Sequence, residues 1–471
     1  MALDLREFFQ ATNPSKTLAI EDAEDRRYYI DFSAVRGEQI IQELKDGITF
    51  FSPDLPTCTL FTGHIGCGKS TELLRLKAEL EKEQFHVVYF ESSEDLEMAD
   101  VDIGDVLLAI ARRVSQSLDQ IKLGEPKGLK SLLQGAAKLL MTEIELEAEA
   151  KIPGVGKAAA STEGSFSLEA GLPGVGQVNV SSMDGVSLAL GIGKITARAK
   201  NDATLRDRLN QYLGPQKNRL VEAINQELLE PAIAQLKQQG KQGLVVIVDN
   251  LDRIDNRPKV FGRPQQEYLF IDQHECLLKL HCHKVYTMPL ALKFSNEYGM
   301  LTQRFPEDPK VLPMVPIQFR DGSECEAGMA LLRQMVLARA FPSLSESERL
   351  QAMTEVFDQP ETLDRLCQVS GGHVRDLLRL LNAWIKRGGR HLPLSRATLE
   401  DVIRAQRNEM MLQISDDEWE LLRQVRQRKK VSGDEDYKTL IYSRLVFEYR
   451  DRGESWFDVN PLLLEAKELS G

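Results

Sequence analysis

Residues 57–92 read TCTLFTGHIGCGKSTELLRLKAELEKEQFHVVYFES. A short apolar run, TCTLFTG, leads into a glycine loop; KSTELLRLKAELEKE then has helical periodicity, and FHVVYFES is rich in β-branched and aromatic residues. That order predicts strand, loop, helix, strand. Inside it, Gly63, His64, Ile65, Gly66, Cys67, Gly68, Lys69, Ser70 and Thr71 satisfy the pattern G-x-x-x-x-G-K-[ST] in full, between a strand and a helix as the pattern requires. Glycines let backbone N–H groups curl around phosphates there, and the helix start adds the positive end of its dipole. The stretch therefore implies a bound nucleoside triphosphate, with Lys69 on the β- and γ-phosphates and the Ser70 hydroxyl on Mg²⁺.

Downstream, GLVVIVDNLDRI is a fully apolar strand that ends in acids, Asp249 and then Asp252. A carboxylate at the tip of such a strand suits the Mg²⁺ shell of the nucleotide, which makes Asp249 a candidate metal ligand beside Ser70. The position after it, where a glutamate often polarises the attacking water, holds Asn250, an amide that cannot accept a proton. Asp252 is then the nearest carboxylate in sequence for that task, and slow hydrolysis is the expectation. The competing reading makes these acids a helix N-cap after the strand, Asp252 above all.

Working outward, residues 1–50 form a polar, largely helical extension leading into YYIDFSAVRGEQIIQELKDGI. Strands and helices alternate through the core at 51–320, which implies a three-layer α/β fold with a parallel sheet. From about 123 to 200 the chain turns rich in Gly, Ala and Ser and carries an imperfect repeat, IPGVGKAAASTEGSFSLEAG at 152–171 and LPGVGQVNVSSMDGVSLALG at 172–191. Alternation in VNVSSMDGVSLALGIGKITARAK predicts short strands with glycine turns, so this is an insertion of β-hairpin or loop character. Residues 321–395 read as an all-helical lid. From 396 to 471 helices precede LVFEYRDRGESWFDVNPLL, two strands about a charged turn, as in a winged helix.

With 71 acidic against 59 basic residues in 471, the net charge of −12 disfavours a general nucleic-acid binder. Six thinly spread cysteines suit a reducing compartment, no segment reaches a membrane-spanning apolar length, and the N-terminus has no signal-peptide core; a cytoplasmic protein is expected.

The two motifs, the helical lid and the winged-helix-like tail together resemble the AAA+ and STAND class of P-loop ATPases, nearest the STAND signalling branch and the origin-recognition branch of AAA+. The resemblance covers about 30–120 and 200–465. It implies ATP as the nucleotide and four further sites. Thr287, in KVYTMPL, takes the sensor-1 place that reads the γ-phosphate, and Arg304, in LTQRFPED, resembles the arginine finger offered to a neighbouring subunit. Arg375, in SGGHVRDLLRLL, resembles the sensor-2 arginine of the lid, and Arg36 with Gly37, in VRGEQI, resembles the segment that borders the adenine. A fixed planar cation suits a phosphate whose charge changes on hydrolysis, whereas a plain surface ion pair is the bland alternative.

The implied function is a slowly hydrolysing ATPase acting as a conformational or assembly switch, in a homo-oligomer or with a protein partner. One rival is an initiator or transposition-type regulator that assembles on DNA with ATP. The run RQVRQRKK at 423–430 would support it, but Glu448, Asp451 and Glu454 on the wing oppose tight DNA binding. A second rival makes the glycine-rich insert an assembly or membrane contact. His274, Cys276, His281, Cys282 and His283 invite a zinc reading, but their spacing matches no common ligand pattern. Cys67 could be redox-sensitive at a helix start, although its small size in the loop is reason enough for it.

Overall fold

The computed structural model describes residues 3–37, 39–118, 127–138, 185–259, 261–432, 435–451 and 453–469. Five strands form one sheet: Cys58–Gly63 (β1), His86–Glu91 (β2), Leu244–Asp249 (β3), His283–Thr287 (β4) and Lys310–Leu312 (β5). Their order is β2-β3-β4-β1-β5, and the pairs β1–β5 and β2–β3 run parallel. Every residue of β1, β3 and β4 is buried, and β3, LVVIVD, accordingly reads as an apolar run rather than as an alternating one. The parallel α/β core expected from the alternation of elements is present.

The chain divides into two compact units, Met1–Phe51, Thr59–Lys82 and Tyr286–Gly471 in one, Ser52–Cys58 and Glu83–Val285 in the other. In the first, the loop helix Lys69–Lys82 follows β1 directly. Helices Glu326–Ala340, Pro360–Ser370, Val374–Gly388 and Arg396–Met411 gather around Phe357 and Trp384, whose rings stack at 5.3 Å. Phe8, from the short helix Leu5–Ala11, is 1% exposed in that same core, so the N-terminal segment is a built-in part of the lid. Leu399, Val402 and Ile403 of Arg396–Met411 also point into it.

After the lid come the helices Asp416–Arg428 and Glu435–Tyr442 and the antiparallel hairpin of Val446–Asp451 (β6) and Glu454–Val459 (β7). This is the two-strand ending expected from LVFEYRDRGESWFDVNPLL. Trp419, Leu422, Leu440, Val446 and Val459 form its core, which closes against Leu290 and Val311.

The second unit corrects one expectation. Of the glycine-rich insert, residues 123–126 and 139–184 lie outside the described residues, and with them the repeat at 152–171 and most of its second copy. The stretch Gly185–Asn201, which was expected as strands, is an α-helix packed along Ile103–Ser117. Leu188, Ile192, Ile195 and Ala199 are its buried positions, at helical spacing. Gly193 sits against Arg112, where an added Cβ would come within 3.2 Å of Nε, so a small residue is needed at that crossing. Among the described residues no helix is long and apolar enough to cross a membrane.

Candidate active site

The loop after β1 has the backbone that its glycines allow. Gly66 and Gly68 have φ of 96° and 108°, in the region that side chains rarely adopt. Lys69, buried at the start of the loop helix, folds back and donates from Nζ to the carbonyls of Gly63 (2.7 Å) and His64 (2.9 Å). Ser70 and Thr71 follow it in the first turn. Cys67 is buried, with Sγ 3.7 Å from the Leu312 carbonyl, so its small side chain is part of the packing against β5. Arg36 is buried as well, and its Nη2 donates to the Cys67 carbonyl at 2.7 Å. Arg36 therefore lies against the loop. Gly37 beside it has φ 79°. A cavity of about 230 Å³ opens next to Arg36, lined by Asp31, Ser33, Gln39, Glu72 and Arg75.

The lid reaches the same loop. His373 caps the helix Val374–Gly388 by accepting from the Asp376 N–H at Nδ1 (3.0 Å), which leaves Nε2 as the N–H that donates to the Ile65 carbonyl (2.8 Å). The backbone N–H of Arg375 donates to the Gly66 carbonyl at 3.1 Å, which puts the proposed sensor arginine over the loop. A Cβ on Gly66 would lie 2.7 Å from His373 Cε1 and 2.9 Å from Arg375 Cβ, so the lid touches the loop at a position that only glycine can fill.

The hairpin reaches it too. His64 Nε2 accepts from the main-chain N–H of Glu448 at 2.9 Å. The Phe447 ring stacks on His373 and meets His64 edge-on, both at 5.6 Å between centroids. Tyr449 donates to the Gly371 carbonyl at 2.8 Å, and Arg444 pairs with Asp376 at 3.0 Å. Burial holds His64 well below the ordinary histidine value, and neighbouring His373 and Lys69 push the same way. His373 is lowered by burial also, against the opposing carboxylate of Asp376.

Glu448 itself is not a wing charge facing solvent, as the argument against DNA binding had it. It is 1% exposed, and its Oε1 is held by Lys293 Nζ (2.5 Å) and Ser455 Oγ (2.8 Å). Within the basic run, Arg423 pairs with Glu420 (2.9 Å) and Lys429 with Asp458 (2.7 Å).

In the second unit, the tip of β3 is an ordered polar cluster. Asp249 is buried; its Oδ2 accepts from the Tyr89 hydroxyl (2.8 Å) and its Oδ1 from the Asn250 N–H (2.7 Å). Asn250 takes a left-handed φ of 64° and donates from Nδ2 to Glu91 Oε2 at 2.7 Å. Asp252 is buried in the short 3₁₀ turn Leu251–Arg253, whose N-cap position is Asn250 with no side-chain cap. Neither acid therefore caps that turn. Thr287 is fully buried at the end of β4, and Arg304 is half-buried as the last residue of the helix Tyr298–Arg304.

The zinc reading finds no cluster. His274 bonds the Ile271 carbonyl, His281 pairs with Glu230, and His283 bonds Thr57. Among the described residues no group of three or more His, Cys, Asp and Glu could hold a metal.

Arg36 and the backbone of Arg375 are thus both brought to the loop in the first unit. His373, Phe447, Tyr89 and Glu91 were missed. Only His373 had a local signal, standing after two glycines at the start of a helix.

No family model matches the chain, and no curated protein does. Among solved structures, it is similar to the ORC2 protein of Aeropyrum pernix in ADPNP–ADP complexes, at 11% identity over 98% of this chain and 95% of that one, with a TM-score of 0.41. A Walker-type ATPase of Pyrococcus abyssi, PABY2304, is 11% identical over 98% and 100%, with a TM-score of 0.42. The ORC1 protein of Aeropyrum pernix, solved with DNA, is 13% identical over 90% and 91%, with a TM-score of 0.35.

Proposed function

We propose that this chain binds ATP with Mg²⁺ in the loop Gly63 to Thr71, hydrolyses it slowly, and uses it as a conformational switch. One observation carries the reading: three consecutive loop residues each serve a different partner. His64 bonds the hairpin through its ring, while the carbonyls of Ile65 and Gly66 take His373 and Arg375 of the lid. Phosphates that draw Lys69 off the Gly63 and His64 carbonyls act on the same short stretch that lid and hairpin hold. Nucleotide would shift these elements because it binds one arrangement better than the other.

Mg²⁺ would be held by the Ser70 hydroxyl and the Asp249 carboxylate, hard oxygen donors that suit it, with Asp249 oriented by Tyr89. When bound, the metal would neutralise charge on the β- and γ-phosphates. Arg36 and Gly37 would border the base, Arg375 and Thr287 would read the γ-phosphate, and Arg304 would act on a neighbouring copy.

The test is the solution mass without nucleotide, with ADP and with a slowly hydrolysed ATP analogue, alongside direct binding measurements on wild type and Lys69→Ala. Binding lost by at least about tenfold in the variant (~1.4 kcal/mol), with a nucleotide-dependent change of mass or of amide exchange at 371–376 and 446–451, supports the switch. ATP binding that leaves both unchanged removes it.

A further inference from the structure

We propose that Glu72, in the first turn of the loop helix, selects the base of the bound nucleotide by accepting from the 6-amino group of adenine, while the Nε–H of Arg36 donates to a ring nitrogen beside it. The inference rests on the reading that the loop Gly63 to Thr71 binds ATP, and it adds a residue that tells one base from another.

Two buried side chains of opposite charge line the cavity beside the loop, and no ion pair joins them. Arg36 is 3% exposed. Its Nη2 is on the Cys67 carbonyl, its guanidinium lies 5.4 Å from the centre of the Phe32 ring, and its Nε is buried with no partner. Glu72 is 6% exposed and loosely held. The Tyr29 hydroxyl stands 3.3 and 3.5 Å from its two oxygens, and Arg75 Nη1 is 3.6 Å from Oε2. Arg75 is engaged more closely by Asp31 at 3.1 Å and Glu79 at 3.0 Å. Burial raises the Glu72 carboxyl, with Arg36 and Arg75 opposing. A buried donor without an acceptor and a buried carboxylate short of donors are both costly. One ligand edge that offers a donor next to an acceptor relieves both.

Adenine has such an edge: its 6-amino group donates and the ring nitrogen beside it accepts. Guanine carries an oxygen in place of that amino group, and a carboxylate repels it. The rest of the cavity suits a flat ring, because Ile40, Ile41 and Leu312 give apolar walls to a volume of about 230 Å³. All of these residues belong to the first unit, as does the loop. The cavity is tied to the loop at two points, through the Arg36 bond to Cys67 and through Glu72, one turn after Lys69. Phosphates seated on the loop therefore leave the base within reach of it.

The experiment measures the affinity of full-length wild type, Glu72→Gln and Glu72→Met for ATP, GTP and purine riboside triphosphate, which is ATP without its 6-amino group. Wild type should bind ATP at least about tenfold more tightly than either of the others. Glu72→Met removes the acceptor at similar length and should bring ATP and purine riboside triphosphate within about threefold of each other. Glu72→Gln offers a neutral acceptor, weaker than a carboxylate, so its preference should fall by about threefold or more without vanishing. A Glu72 that only supports the fold would lower both affinities by one factor, so an unchanged ratio in a folded Glu72→Met overturns the proposal. Where Glu72→Met does not unfold cooperatively in urea, an unchanged ratio in Glu72→Gln overturns it instead. A wild type that binds the analogue or GTP as tightly as ATP also overturns it, and leaves ATP binding intact. A wild type that binds no nucleotide removes the nucleotide reading itself.

Discussion

His64 Nε2 accepts a hydrogen bond from the main-chain N–H of Glu448, 384 positions along the chain, at 2.9 Å. Because that bond is buried and the Phe447 ring meets the same imidazole, the loop and the hairpin form one packed unit. Replacing His64 with Ala leaves the Glu448 N–H without its acceptor and opens a void beside Phe447. A loss of about 2–4 kcal/mol in urea unfolding is expected, with faster amide exchange at 446–449. His64→Gln, which can offer an amide oxygen, should recover part of it.

Gly66→Ala tests the lid contact. The new methyl would meet His373 and Arg375 at under 3 Å, on a backbone with φ 96°. The lid should lift from the loop, seen as increased exchange at 373–377, with a stability loss of roughly 2 kcal/mol.

Acid should weaken the same contacts. His64 and His373 are lowered from 6.5 by burial, and His283 is lowered to about 4. Below pH 6.5 the unfolded chain takes up protons that these folded histidines refuse, so their contribution is flat above about pH 7 and declines as pH falls, partly offset by Asp105, which burial raises to about 7 and which adds stability as pH falls through that value. For His283 the decline ends near pH 4, where the folded chain is protonated as well. Urea midpoints at pH 7.5 and 5.0 should show the drop, and His373→Asn should make it shallower.

Arg304→Ala should leave ATP affinity within about threefold of wild type. If the arginine acts on a neighbouring copy, turnover falls about 10²-fold or more and loses its dependence on protein concentration. Rates measured across a range of protein concentrations decide it.

Much of the core was legible because its signals are local. The loop, its flanking strand and its helix lie within a few dozen consecutive residues, and β3 announces itself as an unbroken apolar run. The segment 185–201 failed because its apolar residues satisfy two periods at once. Val186, Leu188, Leu190 and Ile192 alternate as in a strand, while Leu188, Ile192, Ile195 and Ala199 follow a helix. The helix prevails and leaves Leu190 52% exposed. Glu91 was invisible for a different reason: its place beside Asp249 comes from strand pairing across more than a hundred residues, and no spacing rule reports that. Glu448, read as a surface acid, has a partner in Lys293 that is equally remote in sequence.

The Lys69 ammonium, held by the carbonyls of Gly63 and His64, has a kinetic consequence. An arriving phosphate competes with two oxygens that are tethered beside the ammonium, so productive association includes a first-order rearrangement of the loop. Observed association rates should therefore climb with ATP concentration and then level off at a ceiling. That ceiling is the frequency at which the loop lets go of its own lysine.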